Sequence, residues 1–474
     1  MSESASPSLS NSAEPQRFAK VLKSREVIAL AFGAMIGWSW VLMTGVWLTD
    51  AGTLGTLIAF AVGGFAVALI GLTYSELAAA MPQAGGEHIY TQRALGQRWS
   101  FVCTWALLFS YVNVCLYEAV ALPTAVEYLL PQIRIGTLWT FLGSEVDLGF
   151  VLIGAAGAAL ITWINMLGIR TAAIMQTVVT GLIVVAGLLL ISGAALFGDV
   201  DNAKPLIATP ATGIIAVLIM VPALLVGFDV IPQSAEEIDL PPNKIGRLLV
   251  ISVACAVAWY VLIAFAVGLG LTPQQQVSSN MATADAAKSL WQQPWAGALL
   301  VLGGIGGILT SWNAFIVGGS RVLYALAKSG HVPGIFARMH PKYQTPYVGI
   351  ATIGVLSMVA PLFGKTILVW LINSGSFAVT IAFLFVAVSF LVLRRTEPDM
   401  PRPFRVSHPN LVGYGAVVLS LGLLSAFLPW SDSALQWPEE WLTIVVWAML
   451  GLILLARHSA KGAKSGGGRA DKAG

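Results

Sequence analysis

Two carboxyl side chains interrupt long uncharged stretches of this 474-residue sequence. Asp229 directly follows the uncharged run 205–228, and Glu118 lies within the segment SYVNVCLYEAVALP. Ionisable side chains are costly to bury in apolar surroundings, and those that occur there are usually paired or functional. A buried carboxylate at either position would suit binding of an ammonium group or transfer of a proton. The two residues therefore indicate a site for a cationic group inside an apolar protein.

Each carboxyl also has a purely structural explanation. Asp is a preferred residue at helix N-termini, so Asp229 would cap the second half of a kinked helix without any ligand. Glu118 lies somewhat beyond the middle of its apolar run, where its side chain would reach water. The sequence leaves both alternatives open.

The segment GAMIGWSW, residues 33–40, places two glycines, a serine and two tryptophans inside the first apolar run. Glycine lowers helix stability, so we expect the helix to break here and to expose backbone N–H and C=O groups. The alternative is that Gly33 and Gly37, four residues apart, form a small-residue packing surface between helices.

A second interruption is expected near Asp229, because Pro222, Gly227 and Pro232 fall within eleven positions of one apolar run. Proline removes a backbone donor, and glycine weakens a helix. Discontinuous helices at corresponding positions of two halves of a chain are typical of binding sites in membrane transporters. The pair of interruptions therefore favours binding over packing alone.

The elements that must position these residues are apolar helices. The sequence is 57% hydrophobic and only 10% charged, whereas soluble domains have about 25% charged residues. About 18 apolar residues are enough for a helix to span a membrane, which predicts twelve spans in an all-α integral membrane protein. The runs are 27–49, 51–75, 99–117, 148–169, 171–198 and 205–228, and six more begin at residues 248, 289, 343, 366, 406 and 441.

The positive charges predict the orientation. If the twelve spans alternate, the outer loops hold four of the 26 Lys and Arg residues, namely Arg134, Lys204, Lys288 and Lys365. The other 22 fall on the inner side, which fits the positive-inside rule. We therefore expect a multi-pass protein of the plasma (inner) membrane with both termini in the cytoplasm. Residues 1–19 are predicted to be a disordered cytoplasmic tail, and residues 459–474 a flexible one.

Three motifs resemble the amino acid–polyamine–organocation (APC) superfamily of permeases. YSELAAAMPQAGGEHIYTQRALG (74–96) is similar to the motif after its second span. GFDVIPQSAEEIDLPPNKIGR (227–247) is similar to the span 6 signature of its amino-acid permeases, and the Asp resembles the cationic amino acid transporter branch. SRVLYALAKSGHVPGIFARMHPKYQTPYVGI (320–350) resembles the segment that leads from span 8 into span 9.

The resemblance implies an inverted repeat of five plus five helices with broken helices 1 and 6. The first repeat would comprise residues 20–200, the second 201–395, and two added helices 406–458. The implied function is a secondary active transporter that imports an amino acid or related small amine by alternating access, coupled to an ion. A permease for a decarboxylated amine or organocation is the alternative, and a solute-sensing membrane receptor is a further one.

Within this resemblance, the broken helices predict the substrate site. Span 1 of the family has a small-residue loop that wraps the substrate carboxylate, but here the bulkier Trp38, Ser39 and Trp40 follow Gly37. A tryptophan face would stack on an organic cation by about 0.5–2 kcal/mol. We expect Asp229 to meet the ammonium group. The predicted substrate-binding residues are Ile36, Gly37, Trp38, Ser39, Trp40, Tyr117, Phe228 and Asp229.

The coupling ion is predicted to be H⁺ or Na⁺. Some proton-coupled relatives carry a lysine in span 5, but residues 180–184 include none, which leaves Glu118 as the proton candidate. A sodium site would combine span 1 carbonyls with Thr310 or Ser311. Another departure is His88, which replaces the first Tyr of the family's GG.Y.Y motif.

Other functional classes fit the sequence poorly. The three scattered cysteines match no metal spacing, so neither a cofactor nor a metal site is expected. The absence of H-E-x-x-H and G-x-S-x-G patterns argues against an enzyme. Positive residues follow the loop topology rather than forming one patch, so nucleic acid is not an expected partner. The expected partners are a small-molecule substrate and the lipid bilayer.

Overall fold

The computed structural model describes residues 18–209, 211–279, 281–431 and 434–470, with side chains as far as residue 458. Most of the predicted N-terminal tail, residues 1–17, lies outside the described residues. Phe18, which the sequence places in that tail, is instead buried and packs edge-on against Tyr324 with ring centroids 5.1 Å apart. The tail therefore ends before Phe18.

The described part of the chain is mostly helical. Its α-helices are α1 Ser24–Met35, α2 Ser39–Leu42, α3 Thr44–Ala80, α4 Glu87–Leu95, α5 Gln97–Leu129, α6 Leu148–Met166, α7 Ile169–Phe197, α8 Thr212–Leu224, α9 Val230–Gln233, α10 Pro242–Gly270, α11 Pro273–Ser278, α12 Ala282–Trp291, α13 Pro294–Lys328, α14 Tyr347–Val359, α15 Ile367–Thr396, α16 Pro409–Ala426 and α17 Glu439–Ala470. Short 3₁₀ helices cover Pro131–Ile133, Val200–Ala203, Ala235–Glu237, Gly334–Ala337 and Ala360–Phe363.

Within the described ranges, nine helices are long and apolar enough to cross a membrane. They are α3, α5, α6, α7, α10, α13, α15, α16 and the part of α17 up to His458. Two shorter apolar helical segments, Thr212–Leu224 and Tyr347–Phe363, lie among them. The chain is thus a multi-pass helical membrane protein, as its composition predicts.

Both predicted interruptions are present. Span 1 stops at the end of α1, passes through residues 36–38 and resumes in α2. Span 6 stops at the end of α8 and resumes in α9 after residues 225–229. Gly227 in the second break has φ +129°, and a Cβ there would lie 2.6 Å from the Cβ of Ala34. The absence of a side chain at Gly227 therefore lets the two breaks touch.

A run of glycines in α13 packs directly against the broken part of span 1. A Cβ on Gly307 would lie 2.6 Å from the carbonyl oxygen of Gly37, and one on Gly304 would lie 2.3 Å from the ring of Trp38. Such distances are shorter than van der Waals contact, so only glycine fits without displacement. The GGIGG sequence at 303–307 is the local reason why the unwound segment can lie flat on α13.

One element departs from the predicted all-α fold. Strands β1 Thr137–Phe141 and β2 Ser144–Asp147 form an antiparallel hairpin between α5 and α6. The turn residues Leu142 and Gly143 both have positive φ, +47° and +83°, as two-residue hairpin turns require. The hairpin lies over the end of the α14 segment, where the Trp139 indole donates to the Leu362 carbonyl oxygen at 3.1 Å.

The C-terminal helix differs from the expected boundary. Helix α17 runs to Ala470, so its backbone stays helical beyond the predicted end of the last span at residue 458. The predicted flexible tail 459–474 therefore starts as helix, and its last residues, 471–474, lie outside the described residues.

Candidate functional site

A cavity of about 80 Å³ lies between the two helix breaks and helices α5, α13 and α15. Its wall comprises Ala34, Met35, Gly37, Trp38, Ser39, Ser110, Asn113, Val114, Tyr117, Glu118, Ala223, Leu224, Val226, Ser311, Phe315, Leu371, Ile372, Gly375 and Ser376. The wall is mostly apolar, with a few hydroxyl, amide and carboxyl groups.

Glu118 on α5 faces the unwound part of span 1. A Cβ on Gly37 would lie 3.1 Å from Glu118 Oε1 and 3.6 Å from the Ser311 hydroxyl oxygen. Glu118 is 2% exposed, and its Oε2 has no hydrogen-bond partner in the part of the chain that the structure describes. Over the same residues, no cationic side chain forms an ion pair with it. The cavity thus contains one carboxyl group that has no cationic partner among the described residues.

Helix α5 also supplies a row of neighbouring polar groups. Ser110, Asn113 and Tyr117 follow one another at intervals of three and four residues, so they lie on one helix face with Glu118. The Asn113 amide donates to the Ser374 hydroxyl of α15 at 2.9 Å. Sequence reasoning did not single out Ser110 or Asn113, although their helical spacing relative to Tyr117 is readable in the sequence.

Tyr260 of α10 connects both helix breaks. Its hydroxyl donates to the Met35 carbonyl at 2.9 Å and lies 3.0 Å from the Ser39 hydroxyl. The Leu224 carbonyl, at the end of α8, is 3.4 Å away. Both carbonyls belong to helix ends that have lost their regular partners. Tyr260 therefore stabilises the unwound geometry, and no local sequence signal marks it.

Four of the eight predicted substrate-binding residues line the cavity, namely Gly37, Trp38, Ser39 and Tyr117. The other four, Ile36, Trp40, Phe228 and Asp229, are fully buried outside its wall.

The two aromatic residues of that second group have packing roles. Trp40 packs edge-on against Trp259, with ring centroids 5.4 Å apart. Phe228 packs between Tyr74 and Phe383 at 5.3 and 5.5 Å. Neither ring lines the cavity in this conformation, because both are used in packing.

Asp229 is satisfied by the protein itself. Its Oδ2 accepts a hydrogen bond of 2.5 Å from the Tyr111 hydroxyl, and its Oδ1 accepts one of 2.9 Å from the Gly227 backbone N–H. These contacts hold the unwound part of span 6 in place. Asp229 stands at the N-cap position of α9 but makes no capping hydrogen bond to that helix, so its structural role here is to fix the break rather than to cap the second half-helix.

Thr310 and Ser311, the proposed sodium ligands, lie in different environments. Ser311 lines the cavity. Thr310 is buried behind span 1 and donates to the Gly33 carbonyl at 3.0 Å. Beside it, the Gln176 amide of α7 donates to the Ala29 carbonyl at 3.1 Å. Neutral donors thus occupy span 1 carbonyls that a sodium ion would need.

A chain of side-chain amides extends this contact across three helices. The Asn313 amide donates to Gln176 Oε1 at 2.7 Å, and the Asn165 amide donates to Asn313 Oδ1 at 2.8 Å. Sequence reasoning examined residues 180–184 of span 5 and so missed Gln176, one turn earlier. Within the described ranges, no group of three or more His, Cys, Asp or Glu residues could hold a metal ion.

Comparison with known proteins places this geometry in context. The sequence is 26% identical to the branched-chain amino acid permease BcaP of Bacillus subtilis (strain 168) over 448 residues, 93% of each chain. It is 25% identical to the methylthioribose transporter of the same organism over 458 residues, 96% of each chain. Cationic amino acid transporter 4 of Mus musculus is 28% identical over 407 residues, which cover 81% of this chain and 61% of the mouse protein.

A family model described as amino acid permease matches residues 22–450. The match includes both helix breaks and every helix that contributes to the cavity wall. The relatives are named as permeases and transporters, which confirms the prediction of a membrane transporter rather than an enzyme. The motifs, the broken helices and the match over most of the chain agree, and the chain belongs to the amino acid permease family of the amino acid–polyamine–organocation superfamily.

Proposed function

We propose that this protein is a secondary active transporter that imports an amino acid or a related small amine by alternating access. The observation that carries the proposal is the Glu118 carboxyl in the cavity wall, which faces the unwound segment of span 1 and has no cationic partner among the described residues. The unwound backbone offers N–H groups to an anionic group. A zwitterionic substrate has an ammonium group that would meet Glu118 and a carboxylate that would meet the backbone N–H groups of the unwound segment.

Glu118 is the best candidate to bind the ammonium group of the substrate. It is the sole Asp, Glu, Lys, Arg or His residue in the cavity wall as the structure describes it. The N–H groups around Gly37 and Ser39 would bind the carboxylate. Asp229 lies outside the cavity wall and stabilises the break in span 6 through its hydrogen bonds with Tyr111 and Gly227. A proton and an ammonium group would then compete for Glu118.

The membrane architecture that we propose has twelve spans in an inverted five-plus-five repeat, with residues 20–200, 201–395 and 406–458 as its three parts. Spans 1 and 6 are both interrupted and touch through Gly227, as corresponding helices of two repeats would be. The charge distribution supports both termini in the cytoplasm, in a plasma (inner) membrane.

Alternating access requires a gate on each side of the membrane that can open and close. On the side that carries α4, the backbone of Leu22 before α1 pairs with Ile238 after α9 in a parallel bridge. Next to it, Arg321 of α13 binds Glu237 through two hydrogen bonds of 2.7 and 2.9 Å, and both side chains are 1% exposed. We assign this contact as the closed cytoplasmic gate.

The coupling ion favoured by the geometry is the proton. The span 1 carbonyls that a sodium site would use accept hydrogen bonds from Thr310 and Gln176. An ion at this position would have to displace the Gln176 amide and turn the Thr310 hydroxyl proton away from the Gly33 carbonyl, toward the Gly306 or Gly307 carbonyl. A buried carboxyl such as Glu118 binds a proton without any such rearrangement.

A permease for decarboxylated amines is the second candidate, and Trp38 is the observation that favours it. The Trp38 side chain lines the cavity on the same side as the proposed carboxylate contacts. Its aromatic face would attract an organic cation. An amine without a carboxylate would use Trp38 and Glu118 and leave the backbone N–H groups free.

Thermal stabilisation of the purified full-length protein tests both candidates. A ligand at one hundred times its Kd stabilises the folded state by about 2.7 kcal/mol, so a panel of amino acids and their decarboxylated amines, with and without sodium, identifies the class. Stabilisation by amino acids alone supports the first candidate, and stabilisation by amines alone the second. Uptake of the stabilising compound into proteoliposomes must then follow. A protein that binds the compound but never transports it contradicts the proposal.

A further inference from the structure

A second buried carboxyl, Glu87, lies outside the cavity wall at the first position of α4. The glycine before it, Gly86, has φ +27°, and a Cβ there would lie 2.7 Å from the Cβ of Pro232 in α9. This close approach places Glu87 directly against the short helix that follows the break in span 6. Glu87 is fully buried, and its Oε2 accepts a hydrogen bond from the Gln233 side-chain amide.

The surroundings of Glu87 do not favour a carboxylate. Its Oε1 has no hydrogen bond of good geometry among the described residues, and besides Gln233 the Tyr74 hydroxyl is the side-chain donor that acts on this carboxyl. Over the same ranges, no Lys, Arg or His forms an ion pair with Glu87. A buried charge without a partner is strongly unfavourable. Glu87 therefore holds a proton in this conformation.

The groups that act on Glu87 come from four elements. They are Asp229 at the N-terminus of α9, Tyr74 on α3, Tyr90 on α4 itself and Cys103 on α5. Burial, and then the negative charge of Asp229, raises the pKa of Glu87 well above its ordinary value. Tyr74 is under the influence of both carboxyls. It is thus the residue between them that could relay a proton.

The two carboxyls bind opposite ends of one short helix. Asp229 accepts from Gly227 at the start of α9, and Glu87 accepts from Gln233 at its end. The chain then continues directly to Glu237 and its ion pair with Arg321. A movement of α9 that opens the gate would therefore break the contact of Gln233 with Glu87 and admit water to it. A surface cleft lined by His88 and Glu236 lies on this side of α4.

We propose that Glu87 is a proton-binding site of the transport cycle and releases its proton to the cytoplasm when the gate opens. The Glu87 O–H bond breaks, water takes the proton as hydronium, and the carboxylate remains. When the gate has closed and the cavity faces the outer side, the carboxylate regains a proton from that side, by way of Asp229 and Tyr74. This inference rests on the proposed function and names the coupled ion as a proton that moves with the substrate.

The test uses full-length protein in proteoliposomes with a pH-sensitive dye inside. Wild-type protein should acidify the lumen when substrate enters, and an inward proton gradient should drive accumulation of substrate. E87Q mimics the protonated acid, so it should still exchange labelled for unlabelled substrate. Its proton influx and its gradient-driven accumulation should fall at least tenfold. The E236Q variant, which changes a neighbouring carboxyl that accepts from the Ala84 N–H, should retain both.

Proton influx in E87Q at the wild-type ratio to substrate would overturn the inference. Loss of exchange in E87Q would also contradict it, because a neutral mimic of the closed state must still bind and turn over substrate. The E87D variant keeps a titratable group and should recover part of the proton influx. If the wild-type protein neither exchanges nor accumulates any amino acid or amine, the proposed function itself fails, and this result is distinct from either outcome for Glu87.

Discussion

The hydroxyl of Tyr260 donates to the carbonyl oxygen of Met35 at 2.9 Å, at the residue where the first half of span 1 ends. The same hydroxyl lies 3.0 Å from the Ser39 hydroxyl, at the residue where the second half begins. One side chain of span 7 thus joins both edges of the unwound segment, and it is fully buried. The shape of the candidate site therefore depends on a residue outside the cavity wall.

Tyr260→Phe should weaken substrate binding without removing any residue of the wall. The substitution keeps the ring and leaves two buried polar groups without their partner, at a cost of about 1–3 kcal/mol. Substrate affinity, measured by thermal shift or isothermal titration, should fall roughly fivefold or more. Tyr128→Phe alters an exposed tyrosine hydroxyl at the far end of α5 and should have no effect on affinity. Equal affinities for Tyr260→Phe and wild type would show that the unwound segment needs no such support.

Glu118→Gln should abolish the charge pair that we assign to the substrate ammonium. Hydrogen bonds to charged groups contribute about 1.5–3 kcal/mol, so the Kd should rise by roughly 10- to 150-fold. Binding should also become insensitive to acid, since no proton competes with the ammonium group. The matched control is Glu127→Gln on the same helix, whose carboxyl pairs with Lys365 at 2.5 Å outside the cavity. Wild-type affinity in Glu118→Gln would exclude Glu118 from the site.

Asp229→Asn separates a structural role from direct binding. The amide can accept from either Tyr111 or Gly227 but brings an extra N–H toward the other, so the unfolding free energy should fall by about 1–3 kcal/mol. Substrate affinity should change less than it does in Glu118→Gln. The measurement is the melting temperature of the unliganded protein together with the Kd. If the melting temperature is unchanged but binding is completely lost, Asp229 binds the ammonium group directly and the structural role is wrong.

Sequence reasoning located the broken helices because their signals are local. The clustered glycines and prolines act on the helix that contains them, and the structure places breaks at both positions. The same reasoning identified Gly37, Trp38, Ser39, Tyr117 and Glu118, which all line the cavity. These residues lie close to the breaks or on the most polar face of α5, so their chemistry was visible without tertiary information.

The residues that sequence reasoning misplaced are those whose role depends on a distant partner. Asp229 was expected in the cavity, but the Tyr111 hydroxyl donates a hydrogen bond to one of its carboxyl oxygens. The two residues are 118 positions apart in the sequence. The Gln176 contact with span 1 crosses 147 positions, and Tyr260 lies 225 residues from Met35. A neutral amide or a phenol in an apolar run carries no local signal, because either is equally compatible with packing.

Gly307→Ala should impair transport through backbone clash alone. Its added methyl group would lie 2.6–2.7 Å from the carbonyl oxygens of Ile36 and Gly37, and such overpacking costs about 1–3 kcal/mol. The melting temperature and the affinity should both fall, because the unwound segment must move. Gly181→Ala is the control, since nothing lies within 4 Å of a Cβ at that position, and there the gain in helix propensity should leave stability equal or higher. A neutral Gly307→Ala would mean that span 1 does not rest on this face of α13.

Two histidines on the α4 side are buried in neutral form, and the stability that they contribute should be lost in acid. Burial, and then the charge of His331, lowers the pKa of His88 to about 4. Burial, and then the charge of His458, lowers the pKa of His331 to about 4 as well. An unfolded histidine has a pKa near 6.5, so between roughly pH 6.5 and 4 the unfolded chain binds more protons than the folded one. Linkage then requires the contribution of these two histidines to stability to decrease as the pH falls through this window, whereas Glu87, whose pKa burial raises, contributes with the opposite sign.

His331→Gln should therefore reduce the acid sensitivity of unfolding. The ring of His331 stacks on His458 with centroids 4.3 Å apart, and its Nδ1 lies 2.9 Å from the Ser329 hydroxyl oxygen, a contact that a glutamine amide can partly replace. The drop in melting temperature from pH 7 to pH 5 should be smaller in this variant than in wild type, even if the variant is less stable at pH 7. His408→Gln changes an exposed histidine and should keep the wild-type drop. If His331→Gln and wild type lose the same stability on acidification, the stacked histidines are not the groups that titrate.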